Sequence, residues 1–347
     1  MQQISITANQ AGQRLDKFLQ KYFPQAGSGF LFKMLRKKNI TLNGKKAQGN
    51  EILSEGDTVE SFFSDETFRL FSGKDNLKNH NIGLDEYQKA YQTLTLIQIV
   101  YEDEHVIILN KPTGVLSQKA DKKDISANEW LIGYLFSSKQ LTEAEFQTFK
   151  PSVCNRLDRN TSGLLLCGKS LAGSQALSRI LRDRTAHKFY RAVCKGVLKE
   201  KKTIKGYLSK NEKRNQVTVV DKLPASGKQS DEYSPICTIY EPIKSVGNFT
   251  LLEIELVTGK PHQIRAHLAS IGHPIIGDTK YGDPQVNQRM KEQFSLQHQL
   301  LHAFRIQFPK ESGALEQVSE KEIFAKLPEK FREIVRSLRL TEETERE

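Results

Sequence analysis

The sequence predicts an α+β protein, with a small α/β unit ahead of a larger body of strands and helices. Strand-length apolar runs recur at 97–101, 105–110, 188–193, 249–257 and 300–308, some alternating and some continuous. Helical spacing surrounds them, at 15–22, 126–149, 171–182 and 331–338. A polar stretch of little periodicity, 64–93, separates the first elements from the rest and reads as a linker with one helical turn near Leu84–Ala90. The 347 residues suffice for one large domain and one small one, bounded at 1–63 and 94–340.

Composition narrows the class. With 37% hydrophobic and 27% charged residues, the chain is globular and can bury a sizeable core. The formal net charge is +11, which points to a polyanionic partner. The charge is concentrated: residues 179–214 hold 13 Lys or Arg against three acids, and 31–46 hold six more with none. Two basic blocks, one in each part, fit an RNA-binding surface. The four cysteines are far apart, with no Cys-x-x-Cys pair, so neither a zinc site nor a disulfide framework is expected. They read as buried thiols in a reducing compartment. The first ten residues lack the features of a signal peptide, and no run has the length of a membrane helix. A soluble, cytoplasmic, monomeric protein is expected.

In chain order, residues 2–7 form a short strand. Leu15, Phe18, Leu19 and Tyr22 mark one face of a helix that Pro24 and Gly27 end. Ser28 is a candidate cap for a second helix, with Leu31, Phe32 and Leu35 on one side and Lys33, Arg36, Lys37 and Lys38 on the others. Ile40–Leu42, the turn Asn43-Gly44 and Lys45-Lys46 form a hairpin, and Asp57–Glu60 closes the unit. In the second part, two strands joined by an acidic turn lead into Asn110-Lys111-Pro112-Thr113-Gly114, a tight loop from which Lys111 could approach an RNA phosphate. Ser170 caps the helix 171–182. Lys222–Lys228 is a Pro/Gly/Ser loop, and Thr341–Glu347 a frayed acidic tail, disordered.

The central stretch is Arg156-Leu157-Asp158-Arg159-Asn160-Thr161-Ser162-Gly163-Leu164-Leu165-Leu166: one carboxylate between two arginines, a polar turn, then a buried strand. Such a turn is a rigid mount for an acid. From the residues alone, Asp158 either caps the turn against Arg156 or Arg159, or is held there for chemistry. Downstream lie Lys188-Phe189-Tyr190-Arg191-Ala192 and Thr258-Gly259-Lys260-Pro261-His262-Gln263-Ile264-Arg265. His262, His267 and His273 are spaced by five and six, which does not place them on one helical face, so a metal site is disfavoured.

The Asn110–Gly114 loop and these three segments, in this order, resemble the motifs of the RluA-type pseudouridine synthases. The resemblance implies the pseudouridine-synthase fold, with a mixed, largely antiparallel central sheet. It implies isomerisation of uridine in RNA with no cofactor, with base flipping. It assigns Asp158 as the catalytic residue, Tyr190 to stack on the uracil, and Arg265 to pair with Asp158. Burial would raise a carboxyl above its ordinary value of about 3.9, and an adjacent Arg opposes this, gripping it with two parallel hydrogen bonds. Arg156 would fill the space the base vacates. Lys111, Lys188, His262 and Gln263 are further RNA contacts by the same resemblance. Residues 13–63 resemble the alpha-L RNA-binding domain, which implies RNA contacts from Arg14, Lys33, Arg36, Lys37 and Lys38. The chain departs from the pattern at Asn155, where the family usually has His, and at Lys260-Pro261, where Arg-Thr or Arg-Ser is common. The implied substrate is large-subunit ribosomal RNA, with transfer RNA as the alternative. A non-catalytic RNA-binding protein on the same fold and a metal-dependent nuclease are the competing classes.

Overall fold

The computed structural model describes residues 1–72, 84–211, 216–223 and 233–341. The loop expected at 222–228 lies outside these from residue 224, and the expected tail lies outside them from residue 342.

The N-terminal unit pairs β1 (Gln2–Ser5), β2 (Ile40–Leu42), β3 (Lys45–Lys46) and β4 (Thr58–Ser61) in the order β1-β4-β2-β3. Asn43 and Gly44 both have positive φ (51° and 72°), as the β2–β3 turn requires. Helices α1 (Leu15–Tyr22) and α2 (Ser28–Arg36) bury Leu15, Phe18, Leu19, Leu31 and Leu35 against this sheet. Gly27, not Ser28, is the cap of α2, and Ser28 is its first helical residue.

The expected linker carries two helices. α3 (Asp65–Ser72) adds Phe68 to the N-terminal core. α4 (Leu84–Thr93) packs on the second part, with its Tyr91 ring 5.6 Å from that of Trp130 in α5 (Ala127–Ser137). Both are short and amphipathic in a strongly polar context, so only a few apolar anchors mark them.

The second part is built on one large sheet. Its strands are β5 (Gln98–Glu102), β6 (Val106–Lys111), β7 (Ser152–Val153), β8 (Ser162–Gly168), β9 (His187–Lys195), β10 (Lys202–Asn211), β11 (Gln216–Val220), β12 (Tyr233–Val246), β13 (Phe249–Leu256), β14 (Leu301–Gln307) and β15 (Glu322–Phe324). The path is β11-β10-β12-β13-β9-β14-β8-β6-β5, with β15 on β14 and β7 on β8. Among the described strands every pairing is antiparallel except β14 with β8. The fold is therefore α+β with a mixed, largely antiparallel sheet, as expected.

All seven residues of β8 are buried, because both faces of the sheet are covered there. Leu165 and Cys167 join the layer of α5 and α8 (Gln263–Ser270). Leu164 and Leu166 face α7 (Leu171–Arg182) and the 3-10 turn Gly313–Val318. Ser170 does cap α7, accepting from the Gly173 N–H. On the outer side, α9 (Pro284–Phe294) and α10 (Glu329–Ser337) cover Val193 and Leu251. The two parts meet at α6 (Glu143–Thr148), where the Gln10 amide donates to Thr148 Oγ1 at 2.9 Å, both residues buried.

Two cysteines, Cys167 and Cys194, are buried as expected. Cys154 and Cys237 are partly exposed, and all four are free thiols. Among the described residues, no helix is long and apolar enough to cross a membrane.

Candidate active site

The loop between β7 and β8 carries Asp158 and is fixed from three directions. The Ser117 hydroxyl accepts from the Leu157 N–H (2.9 Å) and donates to the Leu157 carbonyl (3.0 Å). The Asn155 side chain accepts from the Leu166 N–H (2.7 Å) and donates to the Leu164 carbonyl (3.3 Å), tying the loop to β8. The departure at Asn155 is thus a brace on the backbone. Lys111 supplies the third support: its ammonium donates to the carbonyls of Pro112, Val115 and Arg159 at 2.8–3.2 Å.

Lys111 is fully buried, so the phosphate contact expected of it is not available. Burial pushes the amine down to about 7, and the negative charge of Asp158 opposes that shift. Its three N–H groups match three carbonyls, which satisfies a buried ammonium without a carboxylate partner.

Asp158 faces a cavity lined by Arg156, Leu157, Thr161, Tyr190, Leu256, Lys260, His262, Gln263, Ile264, Arg265 and Leu301. The register of three strands sets the far wall. Tyr190 of β9 lies opposite Ala303 of β14, which lies opposite Gly163 of β8. Tyr190 is buried, and burial together with Asp158 pushes its phenol upward, so it stays protonated at neutral pH. α8 brings in Arg265, 107 residues after Asp158, and its Nη1 donates to Asp158 Oδ2 at 2.8 Å. The two parallel bonds expected for Asp158 go elsewhere. Arg265 Nε and Nη2 grip Asp278 at 2.7 and 2.8 Å, and Asp158 takes the remaining nitrogen. Burial lowers the guanidinium, but hydrogen bonds and charge from Asp278 and Asp158 outweigh it and the group is held firmly charged. Burial raises Asp278, and Arg265 more than reverses that, leaving its carboxyl below the usual range.

Asp278 was not expected. Its carboxylate also accepts from the Lys280 and Tyr281 backbone N–H groups (2.9 and 3.1 Å). The signal was an acid directly after the apolar Ile275-Ile276-Gly277, since a carboxylate in such a place needs partners. Gln263 is corrected as an RNA contact. Its amide accepts from Thr258 Oγ1 and the Lys260 N–H and donates to the Cys237 carbonyl and Thr238 Oγ1, leaving no free capacity. The three histidines diverge: His262 meets Tyr281, His267 meets Thr238, and His273 meets the Lys195 carbonyl. Among the described residues there is no group of three or more His, Cys, Asp or Glu able to hold a metal.

The cavity opens into a groove lined by Lys119, Arg156, Arg159, Arg182, Arg184, Lys188, Lys210 and Lys260. Asp158 is the one acid among its described lining residues. Arg156 is exposed at the mouth, and Lys188 is half-buried, its amine lowered by burial and by Arg184. Other cations of the basic block are spent on structure. Arg179 pairs with Glu311, Lys195 with Asp283, and Arg191 lies over the Phe304 ring. Lys33, Arg36, Lys37 and Lys38 are exposed on α2 and just beyond it and line neither cavity nor groove, while Arg14 is engaged by the Asp16 carboxylate.

A partly exposed acid paired with a buried arginine at the end of a basic groove defines an enzyme site built for a polyanion. Residues 105–270 match the family described as RNA pseudouridylate synthase. The ribosomal large subunit pseudouridine synthase C of Rickettsia prowazekii (strain Madrid E) is 31% identical over 286 residues, 81% of this chain and 86% of the relative. The protein of the same name from Vibrio vulnificus (strain CMCP6) is 30% identical over 344 residues, 98% and 97% of the two chains. Among solved structures, human RNA Pseudouridylate Synthase Domain Containing 4 shares the fold, with a TM-score of 0.58 at 22% identity over 74% of this chain and 97% of that one. The chain belongs to the RNA pseudouridylate synthase family, and it is an RNA pseudouridine synthase, an isomerase.

Proposed function

We propose that the enzyme isomerises uridines of large-subunit ribosomal RNA, with Asp158 as the catalytic carboxylate. The observation that carries this is the 2.8 Å bond between Asp158 and Arg265, in a cavity walled by Tyr190 and fed by the basic groove. The reaction breaks the bond from uracil N1 to ribose C1′, turns the base, and joins C5 to C1′. The C5 proton leaves and N1 gains one, so nothing is oxidised and no group is imported.

Each side chain has a role in this reading. The target uridine leaves its stack at a cost of about a few kcal/mol, and Arg156 at the mouth enters the space it vacates. Tyr190 stacks on the flipped uracil. Arg265 keeps Asp158 aimed at the ribose, while Asp278 keeps Arg265 in place. The groove cations, Lys188 and Lys260 among them, hold phosphates on either side. The N-terminal unit, 1–63, adds a second RNA contact through Lys33, Arg36, Lys37 and Lys38 in the manner of an alpha-L domain. The enzyme works as a monomer in the cytoplasm. The ribosomal substrate is supported by the names of the relatives, which match 81% and 98% of the chain.

The test is tritium release from large-subunit ribosomal RNA carrying [5-³H]uridine. Wild type releases tritium and Asp158→Asn does not, although both bind the RNA. Equal release by the two would remove Asp158 from the chemistry. Release from transfer RNA alone would overturn the substrate.

A further inference from the structure

His262 stands at the head of α8 with φ 53°, a conformation rare for a side-chain-bearing residue and often kept for a functional reason. It lines the cavity beside Asp158. Its Nδ1 lies 2.9 Å from the Tyr281 hydroxyl. That hydroxyl accepts from the Val217 N–H at 2.8 Å. With the Val217 N–H on the phenol oxygen, His262 Nδ1 is the acceptor within hydrogen-bond distance of the phenol proton among the described residues. A nitrogen that accepts is unprotonated, so in the neutral ring the proton sits on Nε2. Burial keeps the imidazole below its ordinary value, with the nearby Arg265 adding to this against the opposing charge of Asp158.

We propose that Tyr281 locks His262 as the Nε2–H tautomer and that this N–H donates to a carbonyl oxygen of the flipped uracil. The inference rests on the cavity being the uridine site. Uracil is nearly symmetric about the axis through N3 and C6, and the half-turn that brings C5 to the sugar exchanges O2 with O4. A donor aimed at one carbonyl before the turn meets the other after it. His262 thus holds the base in both orientations with one unmoved hydrogen bond. Cytosine fails this arrangement, because in one of its two orientations the donor would face an amino group. Asp278 supports the device, since it holds the Tyr281 backbone in place. Tyr281 is a positioning residue here and His262 a substrate-contacting one.

Two measurements test it. In nitrogen-15 spectra of histidine-labelled enzyme, with His262→Gln to assign the signals, wild type shows Nε2 protonated and Nδ1 bare. Tyr281→Phe then shifts the ring toward a mixture. A protonated Nδ1 in wild type overturns the lock, and this readout does not depend on activity. The second is single-turnover tritium release from [5-³H]uridine ribosomal RNA. Asn places an amide near Nδ1 and tolerates positive φ, whereas Gln places one near Nε2 and does not. His262→Ala and His262→Asn lose about 10–100-fold, and His262→Gln recovers most of that loss. Better rescue by Asn than by Gln would mean that the backbone conformation is what matters, and would sink the proposal. Silence of the wild type on every RNA would instead refute the uridine-site reading, with the tautomer still settled by the spectra.

Discussion

Arg265 divides its five N–H donors unequally, and the division shows how the carboxylate proposed for the chemistry can be both held and left usable. Asp278, with no exposed side-chain surface, takes the bidentate grip, while Asp158, 24% exposed, takes a single bond. Among the described residues the other Asp158 oxygen has no hydrogen-bond partner, which leaves it to the cavity. Replacing Asp278 by Asn would remove the charge that balances Arg265 in a buried place. Breaking such a pair costs about 3–5 kcal/mol, so Asp278→Asn should lower the urea midpoint markedly and reduce tritium release with it. A variant with wild-type midpoint and rate would show that Arg265 needs no second anchor. At this scale the sequence was partly legible. Asp158, Tyr190 and Arg265 sit in segments that resemble the motifs of a known family, and that resemblance, not the residue types alone, singled them out. Ser117 and Tyr281 act through Leu157 and His262, pairings that no local pattern records, and Asp278 was marked only by an acid directly after an apolar run. Lys111 and Gln263 misled for the converse reason, because their polar groups are consumed by backbone carbonyls and neighbours that only folding supplies.

Among the elements, the pairing of β8 with β14 is the demanding one. Gly163 has φ 113°, and a methyl group built on it would lie 2.1 Å from the Ala303 carbonyl oxygen. Gly163→Ala would force the two strands apart next to Ser162, whose hydroxyl bonds the buried His302 ring at 2.8 Å. A loss of about 3 kcal/mol or more is expected, seen as a lower Tm with a parallel loss of tritium release. An unchanged Tm would mean that the strands accommodate the methyl group. Strands such as β8 and β13 were legible because burial on one or both faces imposes a clear apolar pattern. The parallel pairing was not, because register between strands about 140 residues apart leaves no mark in either. α3 escaped notice because its anchors, Phe68 and Ser72, are few and its other positions polar.

For the molecule as a whole, charge was readable in amount and only partly in use. Four cations of the 179–214 block, Arg182, Arg184, Lys188 and Lys210, line the groove, and others brace the fold. RNA affinity should therefore fall steeply with salt, by roughly two orders of magnitude between 50 and 200 mM if about four or five phosphates are neutralised. Arg184→Gln and Lys260→Gln should each reduce the slope of log affinity against log salt by about one, without abolishing turnover at low salt. Affinity indifferent to salt would rule out the groove as the RNA track. The buried contact between Gln10 and Thr148 ties the N-terminal unit to the rest, so the RNA contact proposed for that unit would lie at a set separation from the groove.

β14 lies between β9, which carries Tyr190, and β8, which follows Asp158. A chain still being synthesised holds Asp158, Tyr190, Arg265 and Asp278 well before residues 301–307 exist. Until that strand arrives the two halves of the sheet have no shared edge, and Tyr190 has nothing to align it with the Asp158 loop. The sheet is thus completed by a late segment, and a truncation before Leu301 should leave every one of these side chains present and abolish tritium release.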